Sequence, residues 1–516
     1  MKKSKLREII LKPDFLKLLG FTLLAIISVI GAIAVSGHPS KKLMLIATLI
    51  ILAITALLYF AFKKKWGLER IFLILAIPLG LLYLLVIPVG RVADEPSHFL
   101  RSYEISHGGL ISDINEGGGG REMSNTVVET VISDDTSYSD YRTRLGVTES
   151  TDDEKEFKNF YNTAIYFFTC YLPQAIGIFI GNLFGAPILI CAYLGRLCNF
   201  LFFILVIFFS IKKAPVLKSA IFFVSLVPMT LHQAVSLSSD VMTYATAVGL
   251  FAFVLHHLFD SKKKPFVAKD YIIMCLLCVF LGMCKYAYLP LCLLVLLIPV
   301  EKFKTKKNKY LSIGLLAGGI VILNIVWFFM TRNFFFQKEG IDAAMQFKYI
   351  LGHPLGFLVA IFDLIFHKGV SITETAFGSS LEWLDVGIGN LPIIIIIIAF
   401  CIFIYRHKDI TISPALKYTS IFIVLIITAM FIGIEYLTWT PVGSGHIDGI
   451  QGRYFLPLLF LFPLLFMKTS KKPREIKASV AELQKIDSNF SLTACQFLVV
   501  INIIAIISVY VHHLPL

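Results

Sequence analysis

Between residues 91 and 101 the chain reads Arg91-Val92-Ala93-Asp94-Glu95-Pro96-Ser97-His98-Phe99-Leu100-Arg101, directly after an apolar run that ends at Gly90. Two adjacent carboxylates, a histidine and two arginines therefore share one boundary. Pro96 suits the first turn of a helix capped by Asp94 or Glu95, which places His98 and Arg101 one or two turns further on. Asp240 is the only charge in the turn Ser236–Met242, and Lys285-Tyr286 interrupts another apolar stretch. Arg453-Tyr454 opens a later run, while Arg196 and Arg332 lie at similar boundaries. An ammonium between broken helices is a point-charge ligand for phosphate. Several such cations facing the acids point to a phosphorylated lipid headgroup. Each residue also has a plainer reading. The acids would simply cap a helix and pair with arginines, Asp240 would be an N-cap, and Lys285 would snorkel to the interface.

The elements that position these residues must lie in a membrane. Hydrophobic residues make up 57% of the 516 and charged ones 16%, against about 45–50% and about 25% in soluble domains, and mean hydropathy is +0.79. This excludes a soluble enzyme or a nucleic-acid-binding protein, so the net charge of +13 must reflect topology. The nine cysteines all lie in or beside apolar runs and read as small packing residues.

A spanning helix needs about 20 apolar residues. Thirteen runs qualify or come close: 18–36, 43–62, 71–90, 193–211, 219–236, 241–259, 271–284, 288–300, 310–331, 391–405, 416–434, 454–467 and 492–511. With the N-terminus in the cytoplasm, alternate connections carry 31 of the 47 Lys and Arg, as expected of cytoplasmic loops. The expected fold is thus an all-α polytopic membrane protein with about 13 spans and two large external loops. Residues 1–70 form an N-terminal hairpin with a basic cytoplasmic start. Residues 71–467 form the main module, with external loops at 91–192 and 332–390. Residues 468–491 are a basic cytoplasmic loop, and 492–516 the last span with an external C-terminus.

Residues 164–185 and 354–366 are expected at the outer interface, the first bent at Pro173. Ala34-Val35-Ser36 resembles a signal-peptidase site, but the 17-residue basic start and long apolar core favour a retained span. The Gly117–Gly120 run and its neighbours, 112–140, are expected to be mobile.

The succession Asp94-Glu95-Pro96-x-His98-Phe99-x-Arg101, Tyr171-Leu172-Pro173-Gln174-Ala175, Tyr193-Leu194-Gly195-Arg196-Leu197, Ser239-Asp240, Lys285-Tyr286 and Gly452-Arg453-Tyr454-Phe455-x-Pro457 resembles domain-of-unknown-function family 2142, bacterial polytopic membrane proteins. That family in turn resembles the GT-C class of glycosyltransferases, which take a sugar from a polyprenyl-phosphate carrier at the outer membrane face. The resemblance implies a plasma-membrane transferase acting on an envelope glycan or glycolipid acceptor. Asp94 would be the general base, with Glu95 and Asp240 beside it. His98, Arg101, Arg196, Lys285, Tyr286, Arg332, Arg453 and Tyr454 would bind donor and phosphate. Asp94, Glu95 and Asp240 are also the carboxylates that would hold a divalent cation, which some members of the class use. Two other classes compete: a flippase or transporter of lipid-linked saccharide, and an assembly scaffold. Transporters commonly show repeats and midplane charges, whereas here the acids cluster at a boundary.

The charge split generates a topological prediction. A reporter fused after Lys309 should report the cytoplasm and one fused after Asp140 the exterior; the opposite pattern inverts the assignment.

Overall fold

The computed structural model describes residues 13–36, 38–132, 137–259, 264–334, 340–488 and 492–514. The start of the expected cytoplasmic segment (residues 1–12) and parts of both long loops (133–136 and 335–339) lie outside the described residues.

The described residues are mostly helical. The principal helices are α1 (Pro13–Val35), α2 (Lys41–Lys63), α3 (Leu68–Val86), α4 (Glu95–Ser106), α5 (Leu172–Leu183), α6 (Ile188–Lys213), α7 (Asp240–Leu258), α8 (Ala268–Cys284), α9 (Lys306–Thr331), α10 (Asn390–Arg406), α11 (Pro414–Thr438) and α12 (Leu492–His512). Among the described residues nine helical segments are long and apolar enough to cross a membrane: α1, α2, α3, α6, α7, α9, residues 354–377, α11 and α12. Their outward faces carry leucine, isoleucine and phenylalanine where a soluble protein would place charge. On α9, for example, Leu311, Leu315, Ile322 and Phe329 are all exposed, as lipid-facing side chains must be. By contrast nearly all of α7 is buried, which makes it the central helix, flanked by α6 and α8.

Several expected spans are broken helices. Run 219–236 divides into Lys218–Val224 and Pro228–Ala234. Proline at the start of the second piece removes a backbone donor and disfavours helix before it. The freed carbonyls are then satisfied by side chains: Thr230 Oγ1 donates to Val224 O at 2.8 Å and Asn502 Nδ2 to Leu226 O at 2.9 Å. Asn502 also accepts from Tyr83 OH at 3.2 Å, tying α12 to α3. Run 288–300 is largely a 3₁₀ helix, Tyr286–Leu297, with Pro290 inside. Run 454–467 is reduced to Gly452–Phe455, Leu456–Leu459 and Phe462–Phe466, with Pro457 and Pro463 opening the last two. Backbone of this kind is tolerated at membrane depth only when protein surrounds it, and each of these pieces has a buried side, as at Tyr288, Leu291, Leu458 and Leu464.

The connections sort onto two faces. On one, Phe266 N bonds Lys302 O, Lys468 N bonds Ile410 O, and Asp487 accepts from Ser219 N and Oγ. These are the lysine-rich connections. The other face holds the described parts of residues 87–187 and of the second long loop, the 235–240 turn and the end of α12, joined where His513 Nε2 meets Glu382 at 2.8 Å.

Two interfacial expectations change in detail. Pro173 starts α5 rather than bending a longer helix, and α5 packs on α6 through Gly177 and Gly181, where a Cβ would strike Leu194 O and Cys191 respectively. Residues 354–377 meet the length and hydropathy for crossing, yet their partners lie along one face: Ala360 and Leu364 cluster with Tyr436 and Ile447, and Lys368 bonds Asp448.

The glycine run is ordered rather than mobile. Gly118–Ser124 is the middle strand, β2, of an antiparallel sheet with β1 (Asp113–Asn115) and β3 (Lys155–Asn159). Gly119 bonds Phe334 O and accepts from Phe160 N, in contact too close for a Cβ.

Gly452 serves the same end. It lets the Gly452–Phe455 turn press on the helix Gly369–Phe377, where a Cβ would collide with Ala376 N and Ile372 O. Backbone atoms cannot swing away as a side chain does. Gly452→Ala should therefore cost about 1–3 kcal/mol, the usual range for overpacking, seen as a lower thermal midpoint of purified protein. An unchanged midpoint would contradict this packing.

Candidate functional site

α4 begins at Glu95 with Asp94 in the N-cap position, but Asp94 makes no capping bond. Its φ of 64° puts it in the left-handed region, which aspartate tolerates better than most residues. This geometry sends the two adjacent carboxylates in different directions.

Glu95 turns inward and is fully buried. Its Oε1 accepts from Arg196 Nε at 2.7 Å and Leu237 N at 3.1 Å; its Oε2 accepts from Arg196 Nη2 at 2.5 Å and Gly90 N at 2.9 Å. Arg196, equally buried, also donates to Ile87 O and Pro88 O at 2.6 and 2.9 Å. The structure places Glu95 and Arg196, expected from the sequence in catalytic and phosphate-binding parts, in a buried pair joining α4, α6 and the end of α3.

Arg101 is likewise taken. It pairs with Glu104 and donates to Leu110 O at 2.8 Å and Ser112 Oγ at 3.2 Å, pinning the loop after α4. Arg332 is exposed at the end of α9, its guanidinium 5.7 Å from the Phe329 ring centroid, apart from the acid cluster. The other expected residues do converge.

Arg453 lies at their centre. It bonds the Asp94 carboxylate through Nη2 and Ala93 O through Nη1, and its Nε sits 3.7 Å from Asp240 Oδ2. Asp240 holds Lys285 Nζ at 2.5 Å through its other oxygen. The Lys285 ammonium lies 5.0 Å from the Tyr454 ring centroid and 5.7 Å from that of Tyr166. His98, buried behind the carboxylates, places Nδ1 2.8 Å from Tyr171 OH and Nε2 3.4 Å from Ser238 Oγ. Four separate segments thus meet, each at a helix end or break.

The electrostatics follow from this arrangement. Burial pushes the Asp94 carboxyl up, but Arg453, His98 and Lys285 together outweigh it and hold the group below the usual carboxylate range. Burial dominates at His98 and lowers it to about 4, so its imidazole is neutral near pH 7. Asp94 is also the most open of the three, its side chain 35% exposed against 16% for Asp240 and none for Glu95.

A cleft of about 150 Å³ opens beside the cluster, lined by Tyr166, Lys285, Tyr286, Phe431, Glu435 and Tyr454 among others. Tyr286 and Ile434 are exposed at its edge. It lies between the α8 break and α11. Glu435 was not singled out from the sequence, although it is the only acid in α11, and a lone carboxylate in an apolar run is a functional signal in itself. Glu382 and Asp385 were not singled out either. Arg91, noted in the sequence, pairs with Glu382 at 3.1 Å and Asp385 at 2.5 Å, and Glu382 N donates to His232 Nε2 at 3.1 Å.

For a divalent cation, Asp94, Glu95 and Asp240 would have to converge. Instead Glu95 faces Arg196, Asp94 faces Arg453, and Asp240 faces Lys285 and Arg453, and among the described residues no group of three or more His, Cys, Asp or Glu is placed to hold a metal ion. The residues present do not fit a carboxylate-held metal in this arrangement.

A family model described as a predicted membrane protein, DUF2142, matches residues 75–462. That is well over half of the chain and spans every residue of the cluster, so the chain belongs to this family. No curated protein and no solved structure matches it.

The Glu95–Arg196 pair makes a direct prediction. Removing one member of a buried pair strands the other charge and typically costs about 3–5 kcal/mol. Glu95→Gln should lower the yield and thermal midpoint of the purified protein, as should Arg196→Gln, and the double variant should lose less than the sum of the two. Wild-type stability in Glu95→Gln would show that the pair is not what holds α4 in place.

Proposed function

We propose that this DUF2142 chain is a GT-C-like membrane glycosyltransferase. It moves a sugar from a polyprenyl-phosphate carrier to an envelope glycan or glycolipid acceptor on the outer face of the bacterial plasma membrane. Its N-terminus is cytoplasmic and its C-terminus external. The observation that supports this reading is the alternation of Asp94, Arg453, Asp240 and Lys285 beside a cleft walled by aromatic side chains, with Tyr286 and Ile434 exposed at its edge. On this reading the cleft faces lipid, so a carrier lipid brings its phosphate there without leaving the bilayer.

The chemistry assigns each group a part. Asp94 takes the proton from the acceptor hydroxyl as that oxygen bonds to the anomeric carbon. The bond from that carbon to the carrier phosphate breaks, its electron pair going to the phosphate oxygen. Lys285 and Arg453 stabilise the negative charge that develops there. Tyr454 and Tyr286 wall the cleft, and neutral His98 keeps Tyr171 and the 238 turn in register behind the acids.

The Arg453–Asp94 bond also supplies a form of control. While Arg453 is bonded to Asp94 the carboxylate is a poor base, being held below its usual range. A phosphate that draws Arg453 towards itself weakens that hold and raises Asp94's basicity. The base is then strengthened only when the donor is seated.

Loss of a general base typically costs about 10²–10⁴-fold in rate. Asp94→Asn should therefore abolish transfer in reconstituted protein while expression and donor binding stay near normal. Lys285→Gln should weaken use of the lipid donor far more than it reduces folded protein. Near wild-type turnover in Asp94→Asn would remove the base assignment, and unchanged donor dependence in Lys285→Gln the phosphate one.

A further inference from the structure

Among the described residues around the cleft, Glu435 is the carboxylate that forms no ion pair. Its residue surface is almost wholly buried, and Oε2 has no hydrogen-bond partner. The two nearby cations are committed elsewhere, Lys285 to Asp240 and Arg453 to Asp94 and Ala93. Gly449 backs the carboxylate so closely that a Cβ there would run into Oε2. The group is therefore braced from behind while it lines the cleft with Lys285 and four aromatic rings.

A buried polar group without a partner is costly and rare in native proteins. A carboxyl group offers several acceptor sites, so a ligand that brings hydroxyl donors can complete Glu435. Phosphate brings none, and its charge repels a carboxylate. A ligand with phosphate alone would be hindered by Glu435. A ligand with hydroxyl groups next to its phosphate would satisfy Glu435 and Lys285 together.

We propose that Glu435 is a specificity-determining residue that accepts hydrogen bonds from the hydroxyl groups of the carrier-linked sugar, and so distinguishes loaded from spent carrier. The inference rests on the transferase reading of the same site. It explains why an acid stands beside phosphate-binding cations: the carboxylate holds the glycosylated carrier and disfavours the bare phosphate that transfer leaves behind. Tyr454, Tyr286, Tyr166 and Phe431 supply apolar faces on which a sugar ring can lie.

The test uses the full chain in nanodiscs and two kinds of probe, bare polyprenyl phosphate and a panel of its hexosyl, N-acetylhexosaminyl and pentosyl derivatives. Wild type should bind at least one glycosylated carrier more tightly than the bare one. Glu435→Gln should lose that preference, by about tenfold or more for hydrogen bonds to a charged acceptor, while binding bare polyprenyl phosphate as well as or better than wild type. Glu435→Asp, which keeps the charge, should retain part of the preference. The proposal falls if Glu435→Gln weakens both probe types equally, if it alters neither, or if wild type prefers no glycosylated carrier. Lys285→Gln separates the two ideas. If it weakens bare-carrier binding while the sugar preference survives Glu435→Gln, only the role of Glu435 is lost. If bare carrier does not bind, or binds regardless of Lys285, the phosphate reading fails and this inference with it.

Discussion

The buried ion pair between Glu95 and Arg196 is the constraint on which the site depends. Taking two charges out of water costs several kcal/mol for each, and attraction repays this only when the geometry is good and the remaining valences are filled. Here they are filled. Glu95 accepts from two backbone amides as well as from Arg196, and Arg196 donates to two carbonyls at the end of α3. The pair ties the start of α4 to α6 and to the 236–239 turn. Because that turn leads directly into Asp240, the same bonds that anchor Glu95 set the position of the second acid.

With Glu95 turned inward, Asp94 is left facing the opposite way. Successive residues on a helix diverge by about 100°, so two adjacent acids cannot share a cavity, and the left-handed backbone at Asp94 widens the separation. One carboxylate holds the structure and the other meets Arg453. Arg453 is positioned by Gly452, whose missing side chain allows contact with the helix Gly369–Phe377. The glycine and the arginine of this short motif thus do different work: one sets a backbone distance and the other uses it.

Much of this was legible in the sequence, and the rest failed for identifiable reasons. Asp94, Asp240, Lys285, Arg453 and Tyr454 stood out as charges or aromatic neighbours at the edges of apolar runs, and they do converge. Glu95, Arg101 and Arg196 stood out on the same grounds but turn inward, because residue type does not reveal side-chain direction. The partner of Glu95 lies about a hundred positions away on another helix, beyond the reach of local pattern. Glu435 was overlooked because its run appeared to end one residue before it. The helix count was legible only coarsely, since among the described residues nine helices are long and apolar enough to cross a membrane and several further apolar runs are shorter or broken. Hydropathy measures whether a segment can lie in lipid, and the prolines at 228, 290, 457 and 463 alter the backbone without lowering hydropathy enough to show.

Those breaks are what allow the site to exist. A continuous spanning helix satisfies its own backbone and presents side chains only sideways, so charges at its middle would meet lipid. Where a helix ends inside the protein, its terminal residues can point along its axis into a shared space. Asp240 begins α7, Lys285 follows the end of α8, Arg453 lies in a 3₁₀ turn, and Asp94 precedes α4. Each contributes its charge from a break or a terminus, and protein rather than lipid surrounds the exposed backbone. Discontinuity lets four charged side chains gather within the protein while the long intact helices present apolar outer faces. The cleft between the α8 break and α11 follows from the same geometry, since a 3₁₀ segment cannot fill the groove that a full helix would have occupied.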